Sequence, residues 1–428
     1  MDRATSLEKD KKHVWHPFTQ MQTAGEPLCI VKAEATTLTD ANGKEYIDAN
    51  SSWWVNVHGH GHPYLGEALQ EQFAQLDHVI FAGATHPQAI KLADRITSLL
   101  PEKLEKVFFS DDGSTAVEVA LKMAFQYWHN KNEPKKRIIA LDGAYHGDTF
   151  GAMSIGQRGA FNKPFEHLFF DVDFIDFPKD EARSHSLIQA EQILQTGEVA
   201  AVIVEPLVQG SAGMRMYDAV WLDAFVSLAR KYKALVIFDE VMTAWGRTGK
   251  LFAHNFCAEE PDLICLSKGL TGGVLPLGLT VATNEIYDAF LHPETSKALL
   301  HGHSFTGSAM ACAVANASLD LFEQPETWDS IEWIEERHRY FIEALKAHSK
   351  VKDIGLCGTI LRFEIETGEG NNYYSTIRDQ AYNYFLERGC LIRPLGNVLY
   401  LNPPYCISEE ELDKLHVVLL DFLDDISL

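Results

Sequence analysis

Short runs of apolar residues, separated by helical patterns and loops, constrain the fold of this chain more than any other feature. Two examples of these helical patterns are residues 114–128 and 218–232. A strand that is apolar on both sides must be buried on both faces, which is typical of parallel sheets covered by helices. The sequence therefore predicts an α/β fold built on a mostly parallel sheet. The apolar runs occupy residues 106–110, 137–141, 200–205, 234–238 and 262–266.

The pattern changes toward both ends of the chain, which indicates a second and smaller domain. Near the start, two short alternating runs flank an Asn42–Gly43 dipeptide, which is a strong hairpin signal. From about residue 325 the sequence changes to a charged helical pattern at 333–346, followed by strand, helix and strand patterns up to its end. The expected division is a large domain at 61–324 and a smaller α+β domain formed by 1–60 and 325–428.

The charge balance excludes two classes of partner. The chain has 37 basic and 60 acidic residues, a net charge of −23, whereas nucleic acids and anionic membranes need basic surfaces. No apolar run approaches the ~18 residues of a membrane helix, and the first residues lack the apolar segment of a secretory signal. The seven cysteines include no C-x-x-C spacing. We therefore expect reduced thiols, a cytoplasmic location and small-molecule substrates as partners.

Charged residues follow two of the apolar runs. Asp239 comes directly after 234–238, and Lys268 follows 262–266 after one serine. In open parallel sheets ligands bind at the carboxyl ends of the strands, so both residues are candidates for a site. A buried carboxylate is costly without a positive partner, and a buried lysine can lose its proton and act as a nucleophile. The alternatives are an aspartate that caps the next element and a lysine that reaches solvent at the rim of the sheet.

The run at 106–110 leads through a glycine turn into a helical pattern. Gly113 and Ser114 stand at the start of that helix, where free N–H groups bind anions such as phosphate. The alternative is a helix cap without a ligand, because Thr115 and Glu118 fit the T-x-x-E capping box. The residue pattern alone leaves both interpretations open.

An aromatic residue completes a possible cofactor pocket. Tyr145 and His146 follow the run at 137–141, where a ring could stack on a flat ligand, although such pairs are often structural. Together with the candidate anion site, Asp239 and Lys268, they describe a pocket for a phosphorylated, flat, cationic heterocycle with a reactive carbonyl. Pyridoxal 5′-phosphate fits that description.

Alternating histidines and glycines raise the possibility of a metal site. They occur as His58, His60 and His62, and again as His301 and His303. No glutamate completes an H-E-x-x-H motif and no cysteine cluster joins them, so the usual zinc patterns are absent from the sequence. We therefore expect no metal, and a histidine-loop metalloprotein is the remote alternative.

Motifs spread over nearly the whole chain carry a more specific resemblance. With them the chain resembles the class III pyridoxal-phosphate aminotransferases of fold type I, and within that class the aminotransferases of biotin synthesis. The resemblance implies a ping-pong transamination from S-adenosyl-L-methionine to 8-amino-7-oxononanoate, which forms 7,8-diaminononanoate. The matching motifs lie at 15–19 (WHPFT), 51–54 (SSWW), 113–118, 145–154 (YHGDTFGAMS), 239–240, 246–253 (GRTGKLFA), 268–273, 301–305 (HGHSF) and 392–394 (IRP).

The resemblance also implies roles around the cofactor. Lys268 is implied to carry the cofactor and to move the proton in catalysis, Asp239 to pair with the pyridine nitrogen, and Tyr145 to stack on the ring. A protonated ring nitrogen makes the ring an electron sink. The implied cofactor is pyridoxal 5′-phosphate, and the three residues are the implied catalytic residues.

The implied phosphate site is shared between two chains. Gly113 and Ser114 are implied to bind the phosphate at the helix start. In the family, the residues at the positions of His303 and Ser304 reach the phosphate from the other subunit. The resemblance therefore implies a homodimer with shared active sites.

The implied substrate site leaves the amino donor open. Arg393 is implied to bind the substrate carboxylate through a two-pronged contact. Many members of the family carry tyrosine at the position of Phe18, and members with phenylalanine include users of lysine. The tryptophan pair favours the adenosyl sulfonium, a large cation that aromatic rings bind well. Lysine as donor and another class III ω-aminotransferase are the alternatives. The other implied substrate residues are Trp53, Trp54, Tyr145 and Gly302.

Overall fold

The computed structural model describes residues 2–159, 161–368 and 375–426, which form a mixed α/β structure. The strands, in chain order, are β1 (Ile30–Glu34), β2 (Thr37–Asp40), β3 (Glu45–Asp48), β4 (Leu104–Ser110), β5 (Arg137–Leu141), β6 (Asp173–Ile175), β7 (Val199–Val204), β8 (Val208–Gln209), β9 (Arg215–Met216), β10 (Leu235–Asp239), β11 (Leu263–Leu266), β12 (Gly278–Thr283), β13 (Val351–Cys357), β14 (Ile360–Ile365), β15 (Cys390–Leu391) and β16 (Val398–Leu401).

The helices, in chain order, are α1 (Arg3–His13), α2 (Ser51–Trp54), α3 (Pro63–Gln75), α4 (Pro87–Leu99), α5 (Gly113–Asn130), α6 (Phe150–Ser154), α7 (Ala182–Leu194), α8 (Ala219–Lys231), α9 (Asn284–Asp288), α10 (Ala309–Phe322), α11 (Pro325–Ala347), α12 (Ile377–Glu387) and α13 (Glu409–Asp425). Short 3₁₀ helices lie at Lys163–Leu168, Ala253–Phe256, Lys268–Thr271 and Thr295–Lys297. Within the described ranges, every helix is too short or too polar to cross a membrane.

The central sheet carries the site. In the described part of the chain it has seven strands, in the order β4-β12-β11-β10-β7-β5-β6. β12 pairs antiparallel with β11 and β4, whereas β11, β10, β7, β5 and β6 pair in parallel. The predicted α/β fold with a mostly parallel sheet is therefore confirmed. The carboxyl ends of β4, β5, β7, β10 and β11 lie at one edge of the sheet, as parallel strands require.

Helices cover both faces of the central sheet. In β10, Val236 and Phe238 belong to the same apolar core as Trp221 of α8. The intervening Ile237 belongs to the core on the other face, which α5 completes. Because both faces exclude water, β10 is apolar until its last residue, Asp239, which stands at the edge where the sheet meets the cavity.

The smaller sheets join the two ends of the chain. β15 pairs in parallel with β3, where Cys390 lies opposite Ile47, in a sheet of order β1-β2-β3-β15. β2 and β3 form the predicted hairpin, and Gly43 in its turn has a φ of +81°, a conformation that favours glycine. β13, β14 and β16 form a further sheet. The proposed domain boundaries at 61–324 and in the flanking segments stay a prediction.

The C-terminal part differs from the predicted pattern. The charged helix predicted at 333–346 is α11, which begins earlier, at Pro325, because proline fits the first turn of a helix. The predicted strand, helix and strand follow α11 as β13 with β14, α12, and β15 with β16, but the prediction lacked α13, which comes after them. Ser408 caps α13 by accepting a hydrogen bond from the N–H of Glu411 at 3.2 Å. The capping box S-x-x-E was the sequence signal for this helix.

Candidate active site

A cavity of about 640 Å³ opens where the central strands end. Loops after β4, β5, β7 and β11 and the last residue of β10 line it, so residues selected by the strand-end rule lie at one cavity. Its volume lies in the range of small-molecule and cofactor sites. The polar and aromatic residues in its wall include Trp54, Gly113, Ser114, Tyr145, His146, Asp148, Thr149, Glu205, Asp239 and Lys268.

Lys268 stands in the cavity wall on a strained stretch of backbone. It begins the 3₁₀ turn after β11 with a φ of +47°, which is unfavourable for a residue with a side chain. The preceding residue holds the turn, because Ser267 Oγ donates to Leu277 O at 2.7 Å and Ser267 O accepts Trp245 Nε1–H at 2.9 Å. Lys268 Nζ lies 5.0 Å from the centroid of the Trp54 ring. Loss of hydration lowers the pKa of Lys268, which favours a neutral, nucleophilic amine.

Asp239 is held in a fixed orientation by a histidine. Its Oδ2 accepts a hydrogen bond from His146 Nδ1 at 2.6 Å, and its Oδ1 accepts the N–H of Val241 at 3.1 Å. We assign the proton to Nδ1 because an ionised carboxylate can only accept. His146 Nε2 is buried and has no hydrogen-bond partner among the described residues. The pair therefore presents a buried, oriented negative charge at the cavity.

Glu205 is a site residue that sequence reasoning missed. It is buried directly after β7 and accepts the N–H groups of Tyr145 at 3.1 Å and Gly210 at 2.9 Å. Burial raises the pKa of Glu205 to about 7. Its charge also opposes the effect of burial on the pKa of Lys268. The available signal was a carboxylate closing a continuous apolar run, the same signal that selected Asp239.

The start of α5 forms one end of the cavity. Gly113 is its first residue, and a Cβ there would lie 2.5 Å from Val241 Cγ1, so only glycine fits without a shift. Ser114 Oγ lies 2.8 Å from Thr149 Oγ1. The first N–H groups of a helix have no acceptor within the helix, and the positive end of the helix dipole favours an anion. This end of the cavity is therefore suited to a phosphate.

The cap of α5 differs from the predicted one. Asp112 is the N-cap, because its Oδ1 accepts Thr115 N–H at 2.9 Å and Thr115 Oγ1 accepts Asp112 N–H at 3.0 Å. The capping box predicted from Thr115 and Glu118 is therefore wrong. Glu118 lies inside the helix and instead accepts the N–H groups of Gly151 at 2.6 Å and Ala152 at 3.1 Å. It thus caps α6, which packs on α5, and this contact between distant segments could not be read from local spacing.

Tyr145 lines the cavity between the helix start and Asp239. Its hydroxyl donates to Asp148 Oδ2 at 2.9 Å, an acceptor that sequence reasoning did not select. Burial, reinforced by the charge of Asp148, raises the pKa of Tyr145, so the phenol stays protonated. At Gly147, φ is +121° and a Cβ would lie 2.3 Å from Ser114 Oγ, so glycine lets this loop approach the helix start closely.

Aromatic residues and one cation lie together beside the cavity. Trp54 lines the cavity, while the adjacent Trp53 is 41% exposed and Phe18 is 46% exposed. The Phe18 ring meets the Trp53 ring edge-on at 5.5 Å between centroids, and Phe161 meets Phe18 at 6.1 Å. The Arg393 guanidinium carbon lies 4.8 Å from the centroid of Trp53. The structure thus brings three predicted substrate residues together and adds Phe161, which had no signal in the sequence.

The segment with Gly302, His303 and Ser304 does not line the cavity of its own chain, within the residues that the structure describes. His303 Nδ1 lies 3.6 Å from Asp111 Oδ2, and His303 Nε2 lies 3.2 Å from His301 Nε2. Asp111 precedes the cap of α5, so the segment lies beside the helix start on the outside. Within one chain, Gly302, His303 and Ser304 therefore lie apart from the other predicted cofactor and substrate residues.

Two of the alternating histidines, His58 and His60, have structural hydrogen-bond partners. His58 Nε2 lies 3.0 Å from Ser318 Oγ, and burial lowers the pKa of His58 to about 3. His60 Nε2 lies 2.8 Å from Asp48 Oδ2. Across residues 2–159, 161–368 and 375–426, no group of three or more His, Cys, Asp or Glu is arranged to hold a metal ion. The metalloprotein alternative therefore has no supporting cluster in the described chain.

The comparison with known families decides the class of enzyme. The family model described as aminotransferase class III matches residues 20–423, nearly the whole chain. The chain belongs to the class III aminotransferases. The predicted enzyme class and its pyridoxal 5′-phosphate cofactor are thereby confirmed.

Similar proteins match this aminotransferase almost from end to end. A relative from Synechococcus elongatus, named adenosylmethionine-8-amino-7-oxononanoate aminotransferase, is 49% identical over 97% of this chain and 99% of its own length. A relative of the same name from Geobacter sulfurreducens is 39% identical over 97% of this chain and 96% of its own length. The resemblance stated from the motifs is confirmed.

Solved structures agree with this fold. The crystal structure of adenosylmethionine-8-amino-7-oxononanoate aminotransferase from Methanocaldococcus jannaschii has a TM-score of 0.95 and 34% identity, covering 100% of both chains. An (S)-enantioselective ω-transaminase from Thermomicrobium roseum has a TM-score of 0.93 and 28% identity, covering 99% of both chains. Fold type I is therefore confirmed.

The cavity fits pyridoxal 5′-phosphate. The start of α5 offers donors for a phosphate, and a Cβ at Gly113 would clash, so the loop and helix approach each other closely. Asp239 offers an oriented carboxylate for a protonated ring nitrogen, and Lys268 offers an enclosed amine. These groups face one cavity and match the anionic, cationic and electrophilic parts of the cofactor.

Proposed function

We propose that this aminotransferase moves the amino group of S-adenosyl-L-methionine to 8-amino-7-oxononanoate and so forms 7,8-diaminononanoate for biotin synthesis. The observation that carries the proposal is the 49% identity, over 97% of the chain, to a relative whose name states this donor and acceptor. The aromatic and cationic residues beside the cavity support it, because they suit a cationic donor and a carboxylated acceptor.

The catalytic roles follow from charge and burial. The bound cofactor supplies a reactive carbonyl and a ring that withdraws electrons. Asp239, oriented by His146, would hold the proton on the ring nitrogen. Lys268, whose pKa burial lowers, would hold the cofactor through its amine and would move a proton at the substrate Cα. Tyr145, with its hydroxyl fixed by Asp148, would line the ring side of the site.

The substrate end of the site combines one guanidinium with aromatic rings. Arg393 binds the carboxylate of the oxo acid with two parallel hydrogen bonds, a geometry that lysine cannot supply. Trp53 and Phe18 present ring faces and edges beside it. Several rings together suit the large adenosyl sulfonium better than the small ammonium group of lysine, which favours adenosylmethionine over lysine as the donor. Phe18 lacks the hydroxyl that many family members have, so lysine is the second candidate donor.

The donor can be identified by half-reactions. We expect S-adenosyl-L-methionine, mixed with the loaded enzyme in the absence of an acceptor, to remove the visible absorption of the bound cofactor, and lysine to leave it unchanged. Addition of 8-amino-7-oxononanoate is then expected to restore the absorption and to yield 7,8-diaminononanoate by mass spectrometry. Loss of the absorption with lysine but not with S-adenosyl-L-methionine would contradict the proposed donor. Failure of 8-amino-7-oxononanoate to restore the absorption would contradict the proposed acceptor.

A different ω-amine transaminase is the second candidate function. The structural likeness to the Thermomicrobium roseum ω-transaminase, with a TM-score of 0.93, favours it over other classes. Expression of this chain in a bacterial strain that lacks its own 7,8-diaminononanoate-forming aminotransferase separates the two. Growth without biotin supports the proposed function, and its absence despite soluble expression supports the alternative.

We also propose that the active unit is a homodimer with shared sites. The segment with His303 and Ser304 lies outside the cavity of its own chain, which supports a role in the site of a second copy. The adjacent Phe305 and Leu300 are highly exposed for apolar residues, as expected of an interface core.

The seven free cysteines support a reducing location, which we propose to be the cytoplasm.

Shared sites can be tested by subunit complementation. We expect the protein to sediment at twice the 48.0 kDa of one chain. Lys268→Ala and a His303→Ala/Ser304→Ala double variant should each have little activity. Random mixing of these two chains is expected to recover about a quarter of wild-type activity, because half of the dimers are hybrids and each hybrid has one intact site. Hybrid dimers without recovered activity would contradict sharing.

A further inference from the structure

The turn that carries the two tryptophans has a strained backbone. Ser51, Ser52 and Trp54 have φ values of +48°, +59° and +67°, all in the left-handed region. Residues other than glycine reach this region at a cost of roughly 1–3 kcal/mol each, so surrounding contacts must hold the turn. Trp53 lies between them with a φ of −124°. The directions of both indole rings therefore depend on whatever fixes this turn.

Part of the support comes from a buried carboxylate. Asp48 Oδ2 accepts hydrogen bonds from Ser52 N at 2.6 Å and Ser52 Oγ at 3.1 Å. The same oxygen lies 2.8 Å from His60 Nε2. Asp48 is completely buried. These contacts hold the turn against β3, but they do not reach the residues that follow β15.

Asn50 supplies the link to the other end of the chain. Its side chain is buried, with 2% of the residue exposed. Asn50 Oδ1 accepts the backbone N–H of Arg393 at 2.7 Å, and Asn50 Nδ2 donates to Tyr400 O at 3.1 Å. Its own carbonyl oxygen accepts the N–H of Trp54 at 3.1 Å. One residue thus contacts the tryptophan turn, the arginine loop and β16.

We propose that Asn50 is a positioning residue that fixes Arg393 relative to Trp53 and so sets the affinity for the substrate carboxylate. The proposal rests on the proposed function, in which Arg393 binds that carboxylate. The Arg393 guanidinium lies 4.8 Å from the centroid of Trp53. Asn50 bonds to the backbone N–H of Arg393 and to the backbone N–H of Trp54, the residue after Trp53. The side-chain amide of Asn50 bonds to backbone groups of Arg393 and Tyr400, so it acts through the position of Arg393 rather than on the substrate.

The geometry explains why the amide is suited to this position. An asparagine side chain offers an acceptor and a donor on one planar group, so it can receive the Arg393 N–H and donate to Tyr400 O at the same time. Replacement by alanine removes the acceptor of the partly buried Arg393 N–H and one donor to the buried Tyr400 carbonyl. The loop then shifts to find other partners, and a two-pronged carboxylate contact tolerates little displacement.

The test compares Asn50→Ala with a matched buried asparagine. Asn397→Ala is the control, because Asn397 is a buried asparagine immediately before β16 whose amide donates to Ile365 O at 2.9 Å and to Glu364 Oε1 at 3.2 Å rather than bonding to Arg393. We expect Asn50→Ala to raise the KM for 8-amino-7-oxononanoate about tenfold, with kcat within about twofold of wild type. The methyl ester of the oxo acid, which lacks the anion, should be used equally well by Asn50→Ala and wild type. Asn397→Ala should leave the KM unchanged.

A double-variant cycle separates positioning from general damage. In the Arg393→Ala background, Asn50→Ala is expected to cause no further rise in KM, because the group that it positions is gone. An equal tenfold rise in both backgrounds, or an unchanged KM in Asn50→Ala, would overturn the proposal. If Asn50→Ala does not fold, Asn50→Leu keeps the branched shape of the side chain but loses both the acceptor for Arg393 N–H and the donor to Tyr400 O. A KM for Asn50→Leu equal to that of wild type would then overturn it.

The same experiment distinguishes this inference from the proposed function. If Arg393→Ala leaves the KM for the oxo acid unchanged, the proposed role of Arg393 fails and the inference fails with it. If Arg393→Ala raises the KM by more than about tenfold while Asn50→Ala has no effect, only the positioning role of Asn50 fails.

Discussion

Replacement of Lys268 by alanine is expected to lower kcat by about 10⁵-fold or more, the largest effect of any single substitution in this chain. The side chain is an amine in the cavity wall, and burial lowers its pKa, which favours the nucleophilic form that is needed to carry the cofactor there. Alanine removes both the attachment point and the base that moves the substrate proton. Transamination rate measures the loss, and borohydride followed by peptide mapping should label Lys268 in the wild type only.

Lys135 offers a matched control for this experiment. Its Nζ lies 3.5 Å from the centroid of the Trp128 ring, and burial lowers the pKa of Lys135 to about 8. It therefore shares with Lys268 a lowered pKa and an indole contact, but it lies outside the cavity. Lys135→Ala should keep wild-type turnover. Turnover of Lys268→Ala near the wild-type rate would contradict the assignment of Lys268.

Replacement of Asp239 by asparagine is expected to lower kcat by about 10³-fold, which corresponds to about 4 kcal/mol in the barrier. Asparagine has the same shape but no charge, so it cannot keep a proton on the ring nitrogen of the cofactor, and the ring withdraws electrons less well. The His146 Nδ1–H would still have an oxygen acceptor. The Asp239→Asn variant should therefore fold like the wild type, and its single-turnover rate should report the chemical step.

Asp262 provides the control for Asp239. It is a mostly buried aspartate whose Oδ2 accepts Val236 N–H at 2.8 Å, and it precedes β11, so it lies at the opposite end of the sheet from the cavity. Asp262→Asn keeps this acceptor and should retain kcat within about threefold of wild type. A kcat for Asp239→Asn within about tenfold of wild type would show that its charge is not needed in the reaction.

The fold and the centre of the site were readable from strand endings. A parallel sheet buried on both faces must be apolar along its strands, so the first polar residue after each strand marks the edge where ligands bind. This rule selected Asp239 and Lys268 from sequence, and it applied equally to Glu205, which was overlooked. Glu205 was missed although the same signal, a carboxylate at the end of an apolar run, was present after β7.

The spacing of residues along the chain predicted the wrong helix cap where two distant segments can both bond to one side chain. Thr115 and Glu118 have the spacing of a capping box, yet Asp112 caps α5 and Glu118 caps α6. A short-range pattern records which contacts are possible within a few residues. It does not record that another helix start lies within reach of the same carboxylate, and the buried N–H groups of that start must also be satisfied.

By itself, the sequence determined the α/β class, the edge of the sheet that holds the site, and the chemical types of its central groups. These features could be predicted because the burial of strands and helices produces regular patterns of apolar residues along the chain. Only the tertiary structure decided which side chains support them. His146 orients Asp239, and Asn50 receives the N–H of Arg393. Such contacts join residues far apart in the chain, and their geometry is fixed only when the backbone has closed around them and water has been excluded.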